Sequence, residues 1–488
     1  MISFNEVPAN TRTPFTFIEF DNSNANQGPA AQTFRMLMLG QKLSGGTAAA
    51  KVPVRVTSES QAIELFGQSS MLHLMAKKSL LNNSSTELIV YPLEDDVNGT
   101  KASGSIAFSG TATATGVLYF YIAGQRVTLA IKKDDAASAI GDKLVSSIGD
   151  VQDLPVTASN TTGTVSITFK HNGVVGNTVD IRQGYYQDEK SNVAGVSVSI
   201  TDLSSGTVNP DLSTDLANLP DEMYNVIINP YTDSANLATL VSETADRWGA
   251  DKQLDGMVIT AATGTQSELG TLGDSQNSQH LCIMDAHSSP TPVFEWAAAF
   301  GAVVAFEMQN DQARPMQSVQ IEGVLAEEIS DHFTREERNL LLYDGISTHY
   351  VDASGIPRIE RCITTYKTSP LGAVDTSYLD VNTLFTLSYI RFDLRTHILN
   401  IFPRHKLAKD GTLVQPGQPI VRPSDAKEEA IIKARQWESK GLIESADNFK
   451  DGLITEINSS DPNRLDWVMS PDLMNQLRVN AIKIGFKL

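Results

Sequence analysis

The residues that could do chemistry in this sequence are scattered singly rather than gathered into a signature. Its eight histidines stand apart, and no HExxH or CxxC spacing places two metal ligands on one turn. His280 and His287 bracket a strand-like run, where turn or core positions are the expectation. Cys282 and Cys362 lie far apart in the sequence in apolar surroundings, so each reads as a buried, reduced thiol, and no disulfide framework is suggested. Neither sits in a nucleophile signature, and there is no GxSxG elbow. Asp95 with Asp96, Glu327 with Glu328, and Glu336 with Glu337 fall at turns or helix starts, where solvated charge or capping is expected. GQKLSGGT at residues 40–47 has the glycine spacing of a phosphate loop. Gly46, however, stands where the phosphate-binding lysine belongs, so a plain loop is expected. No GxGxxG fingerprint occurs either. The residues therefore assign no catalytic, cofactor-binding or metal-binding position, and an enzyme is not the expectation.

The elements that would position any site come from a chain of 488 residues, long enough for two to four domains. A hydrophobic share of 41% and a charged share of 19% are ordinary for globular protein. The net charge of −19 argues against nucleic acid or an acidic membrane surface and favours partners with basic patches. MISFNEVPAN lacks the basic and apolar regions of a secretory signal, and the longest apolar run, 296–306, is too short to span a bilayer. A cytoplasmic product is expected.

Along the chain, Pro8 and Pro14 discourage helix, and PFTFIEF is rich in strand formers. Residues 1–22 therefore read as an extended arm, with Phe15, Phe17, Ile18 and Phe20 as its apolar residues. Residues 34–40 and 87–92 read as strands, and 58–82 as helix broken at FGQSSM. Together they open an α/β unit over 23–97. From 98 to 205 Gly, Ser, Thr, Ala and Val dominate, and short strand-like runs alternate with turn signals. That pattern reads as a small β-rich domain inserted into another, with one helix at 136–148. From 206 to 370 strands and helices alternate again, which implies a parallel, Rossmann-like sheet. A helix at 235–248 is stopped by Gly249, and Pro292 suits the first position of a buried helix running to about Met308. Thr334 and Glu337 form a capping box, and DASG turns a hairpin between ISTHYV and IPRIERCITTY. Residues 371–474 read as helical, with one helix at 381–399 and another capped by Ser424 and ended by Gly441. The second has an apolar stripe of Ala430, Ile431, Ala434 and Trp437, and Lys433 and Lys440 share one flank.

The last stretch, NQLRVNAIKIGFKL at 475–488, alternates apolar and polar residues. Leu477 and Val479 lead, then a slip of one place near Ala481 shifts the row to Ile482, Ile484, Phe486 and Leu488. Period two marks a strand with one buried face, and the slip is what a bulge produces. Periodicity alone leaves open whether this strand completes its own sheet or joins another molecule.

DQARPMQSVQIEG, FTREERNLLLYDGISTHYVDASGIPRIERCITTYKT, YLDVNTLFTLSYIRFDLR and FPRHKLAKDGT, in that order from Asp311, resemble contractile-phage tail sheath proteins, above all the Mu-type sheath subunit. FGQSSML, SIAFSGTATATGVLYFYIAGQRV, DLPVTA and HNGVVGNTVDI carry the resemblance over almost the whole chain. It implies a structural role as a homo-oligomer: a six-fold helical sheath around a tail tube protein, bounded by baseplate and tail terminator proteins. Such a sheath, assembled in the host cytoplasm and carried on the virion tail, contracts to drive the tube through the host envelope. No cofactor, nucleic acid or membrane insertion is implied. The overall class is α/β (α+β overall), with a subtilisin-like core, an outward inserted domain and a C-terminal domain against the tube. Both terminal arms are expected to pair with neighbouring subunits, and Lys433 and Lys440 to touch the tube. A phage-derived contractile bacteriocin and a subtilisin-like hydrolase are the alternatives.

Overall fold

Runs rich in Val, Ile, Leu and Met recur between helical segments, and in the computed structural model they form one eight-stranded sheet. The structure describes residues 33–415 and 417–487. The strands lie in the order Pro357–Arg361, Ile346–Val351, Leu281–His287, Met257–Thr263, Val226–Ile228, Arg35–Gln41, Glu87–Leu93 and Val54–Val56. The six inner strands are parallel, and the two edges turn antiparallel. A parallel sheet is covered on both faces, so its strands are apolar throughout instead of alternating. Met36, Leu37, Met38 and Leu39 accordingly have no exposed surface, and neither have Met257, Val258 and Ile259.

Two helices on this sheet show how it is closed. Val293–Asn310 is apolar on every side and buried along almost its whole length. It packs on the sheet centre and on the helix Met71–Asn82. Gly301 permits the close approach, since a Cβ there would sit 2.7 Å from Ile228 Cγ1. Pro292 caps this helix instead of occupying its first turn. The break expected at FGQSSM is present. Glu59–Phe66 stops at Gly67, where φ is +89°, and Ser70 caps the next helix by accepting from His73 N. Thr334 and Glu337 form the expected capping box. The hairpin turn after Val351 is closed by Asp352 Oδ1, which accepts from Ser354 N and Ile356 N.

Between Thr100 and Thr207, which exchange backbone hydrogen bonds, the chain makes a β-rich excursion. A four-stranded antiparallel sheet, Val196–Ser204, Lys101–Gly110, Thr164–Asn172 and Val156–Thr161, accompanies a three-stranded one and the helix Ala137–Asp150. Polar groups dock it on the core. Asp95 accepts from Asn172 N and Gln41 Nε2 and lies 3.0 Å from His171 Nδ1, while His171 Nε2 accepts from Met71 N. Asp95 is thus a structural hub and not the solvated turn residue expected. Burial would raise its pKa, but the His171 hydrogen bond and the others outweigh this and hold it below the ordinary value.

By its internal contacts the chain divides into two compact units, residues 34–388 with 473–487, and residues 389–472. The second unit contains the distal part of the helix Val381–Ile401, the helices Pro423–Ser439 and Ala446–Gly452, and an antiparallel hairpin, Ile454–Ile457 with Leu465–Val468. An all-helical reading of this region passes over that hairpin. The helix at 423 begins earlier than Ser424 suggests: Arg422 is its cap, bonded reciprocally to Asp425. The expected strand at 475–488 is absent from the described residues, because 475–487 carry no secondary structure within this chain. Phe15, Phe17, Ile18 and Phe20 of the N-terminal arm, and Leu488, lie outside the described residues.

Candidate functional site: an exposed arm and a helix with a buried lysine

In residues 475–487 the apolar row is displayed to solvent. Leu477 is 65% exposed, Val479 78%, Ile482 82%, Ile484 84% and Phe486 83%. Scattered exposed apolar residues are ordinary on a protein surface, but a continuous alternating row on an unpaired backbone is not. Among the described residues no strand pairs with 479–487 and its large apolar side chains are exposed, which is the chemistry of strand addition. The segment also carries Arg478, Lys483 and Lys487 and no acidic residue, in a chain whose net charge is −19.

Arg478 is the exception to this exposure. Its Nη2 lies 3.1 Å from Asp380 Oδ1 and 3.4 Å from Asn382 Oδ1. Burial pulls its pKa down, opposed by Asp380. Gln317 Nε2 donates to Leu477 O at 3.4 Å, beside it.

In the other unit, the two lysines placed together by sequence have different fates. Lys433 is buried, with its Nζ 2.6 Å from Asp393 Oδ2, which also accepts from Trp437 Nε1 at 2.7 Å. A seven-residue spacing is close to two helical turns, and the helix Val381–Ile401 meets both lysines, burying Lys433 against Asp393 and leaving Lys440 at the surface beside Tyr389. Lys433 therefore offers no free charge to a partner, and the surface-cation expectation is corrected. Glu429, one turn before Lys433, meets His397 at 3.0 Å. Lys440 is exposed at the helix end, 2.6 Å from Tyr389 Oη and 5.1 Å above that ring's centroid. Of the apolar stripe, Ala430, Ala434 and Trp437 are buried and Ile431 only partly.

Acid–base and metal chemistry can be judged from the same geometry. His349 is buried with Asp285 at one ring nitrogen and Glu327 3.1 Å from the other. Burial alone would lower its pKa, yet the two carboxylates outweigh this and hold it up to about 10. A histidine kept protonated, with both nitrogens occupied, is poorly suited to activate a nucleophile. Glu327 is thus an ion-pair partner and not the solvated carboxylate expected from its turn position. Glu59, His73 and Asp153 come close enough to suggest a metal site. Lys77 Nζ already bridges the two carboxylates at 2.8 and 2.7 Å, and His73 Nδ1 accepts from Ser69 N. An ammonium therefore already pairs both carboxylates, and His73, accepting at Nδ1, turns its other nitrogen toward Glu59 at 3.5 Å. Cys282 and Cys362 are free and buried as expected, though folding brings their sulfurs to 3.6 Å.

The sequence matches the phage tail sheath protein central domain over residues 205–365 and the phage tail sheath C-terminal domain over residues 373–487. It is 40% identical over 487 residues to the Mu-like prophage FluMu tail sheath protein of Haemophilus influenzae, covering 100% of both chains. The chain belongs to the phage tail sheath protein family and is a contractile tail sheath subunit of the Mu-like type. Among solved structures it is similar to sheath tail proteins of Desulfitobacterium hafniense and Listeria innocua. The first is 10% identical, with 94% of this chain and 100% of that one covered and a TM-score of 0.46. The second is 12% identical, with 92% and 97% covered and a TM-score of 0.45. The family assignment rests on the full-length relative and the two domain matches.

Proposed function

We propose that this subunit polymerises as a six-fold helical sheath around a tail tube and contracts by rotation of rigid subunits whose terminal arms stay paired with their neighbours. The exposed alternating row from Leu477 to Phe486 carries this reading. Each backbone hydrogen bond formed by such an arm contributes only about 1 kcal/mol net, so a strand of several bonds holds by summation and by repetition through the lattice. Contacts between different patches on identical subunits propagate as rings or helices. The N-terminal arm, with Phe15, Phe17, Ile18 and Phe20, would do the same from the other end of the chain.

The acceptor we propose is the hairpin Ile454–Ile457 with Leu465–Val468 of a second copy. A two-stranded sheet is marginal in water; among the described residues no third strand joins this one, and Ile454 and Val468 are more than half exposed. Glu456 stands directly opposite Asp466; Arg464 answers Asp466 at 2.5 Å, and a basic third strand would bring counter-charge to Glu456.

We assign the tube contact to Lys440 and the exposed end of its helix, and no longer to Lys433. Tail tube, baseplate and tail terminator proteins are the remaining partners, with the sheath assembled in the host cytoplasm and carried on the virion tail. The core, 23–97 with 206–370, is read as Rossmann-like and subtilisin-like in fold only. The insert 98–205 is its outward domain, and 371–474 its tube-side domain.

Electron microscopy of the purified chain tests the reading. The wild type should form hollow striated tubes, and removal of residues 479–488 should leave only protomers. Tubes that assemble and contract normally without those residues would sink it. In the same assay with tail tube present, Lys440→Glu should abolish tube-templated assembly; unaffected templating would remove Lys440 from the interface.

A further inference from the structure

We propose that Arg478 is the anchor of the exchanged arm: it fixes where the free strand leaves the protomer and passes load from a neighbouring copy into the core sheet. This rests on the reading above, that the arm joins a second copy.

From Val479 to Phe486 the large apolar residues are exposed, and every described residue from 479 onward is exposed. Arg478, by contrast, has a side chain only 14% exposed. Its guanidinium enters a junction of three chain segments. Asp380, its acidic partner, is also held by Arg361 through two contacts of 3.2 Å. Arg361 ends the edge strand Pro357–Arg361, and Asp380 bridges to Ile363 just beyond it. Asn382, the second partner, donates from Nδ2 to Gln312 O at 2.8 Å and Arg314 O at 2.7 Å, in the segment following the helix Val293–Asn310. A pull on the arm therefore reaches the eight-stranded sheet through Asp380 and Arg361, and the loop after the central helix through Asn382.

The energetics point the same way. Two guanidinium groups share one carboxylate here, and Arg478 Nε and Nη1 are buried without a protein hydrogen-bond partner. Burying an under-satisfied cation is a costly way to tidy a chain end. An aliphatic residue would cover the same junction at less cost, so the arginine fits a positional role better than a stabilising one. All of its contacts run through Nη2, which meets Asp380, Asn382 and Gln476, so one nitrogen at the end of a long side chain pins the arm at the point where three segments converge. The anchored geometry leaves at least residues 479–487 free, a reach of about 30 Å at ~3.3 Å per extended residue.

The test compares Arg478→Met and the near-isosteric Asp380→Asn with the wild type and with removal of residues 479–488. Hydrogen exchange of residues 473–478 in the protomer, protomer melting temperature and the concentration needed to form tubes are measured. Both substitutions should speed exchange at 473–478 at least tenfold and raise the tube-forming concentration at least tenfold, with melting temperatures within about 2 °C of wild type. Unchanged exchange and assembly in either variant would overturn the anchor while leaving the arm itself standing, provided the truncation still blocks assembly. Normal assembly of the truncation would instead remove the arm reading. Melting temperatures that fall in both variants enough to account for the assembly loss would assign Arg478 to protomer stability and overturn the proposal.

Discussion

At the scale of single residues, the structure repeatedly turns charges that look solvated in sequence into buried partners. Asp95, Glu327 and Lys433 each sit in a run that reads as turn or surface, and each is claimed by a residue distant in sequence: His171, His349 and Asp393. His349 has the sharpest consequence. Its ordinary pKa near 6.5 is raised to about 10 in the folded chain, so the folded state binds the proton more tightly than the unfolded one. The stabilisation is fully present below about pH 6.5 and is lost as pH rises through about 10. Replacing His349 with Met should cost about 3–5 kcal/mol near neutral pH, because two carboxylates are then buried without their cation. The gap between the wild-type and His349→Met melting temperatures should narrow progressively between about pH 6.5 and 10. A gap that is constant over that range would show that the histidine is not held charged.

At the scale of elements, capping residues and periodicity located most helices to within a residue or two. The errors fell where tertiary contacts outweighed local preference. Ser424 is a good cap by type, but Arg422 and Asp425 close a tighter box around Pro423. The hairpin Ile454–Ile457 with Leu465–Val468 gives little signal in the sequence, because its strands are only four residues each and contain Glu456 and Asp466. Its like-charged pair makes a directional prediction. Glu456→Gln should slow hydrogen exchange of residues 454–468 in the free protomer, since repulsion across the strands is removed. The same change should raise the concentration needed for tube formation, since the basic arm loses a counter-charge. If both quantities moved in the same stabilising sense, the hairpin would not be the acceptor.

At the scale of the whole molecule, a rigid α/β core and an exposed basic arm divide the labour of a sheath subunit. The core buries its strands on both faces and ties its inserted β-rich segment down through Asp95 and His171, which suits a body that rotates without deforming. From Val479 to Phe486 the apolar side chains are exposed and no strand pairs with them among the described residues, which suits a connection between bodies. Legible in the sequence are the alternation of strands and helices, the β-rich excursion between them, the helix break within FGQSSM, the stop at Gly249 and the period-two row from Leu477 onward. Those are local properties, written in side-chain type and spacing. Packing across the fold, by contrast, sets Lys433 inside against Asp393 and Lys440 at the surface against Tyr389, brings Cys282 to Cys362, and turns Arg478 alone among the arm's basic residues back onto Asp380. Each of those depends on which distant segment packs against which, and spacing along one chain carries no information about that.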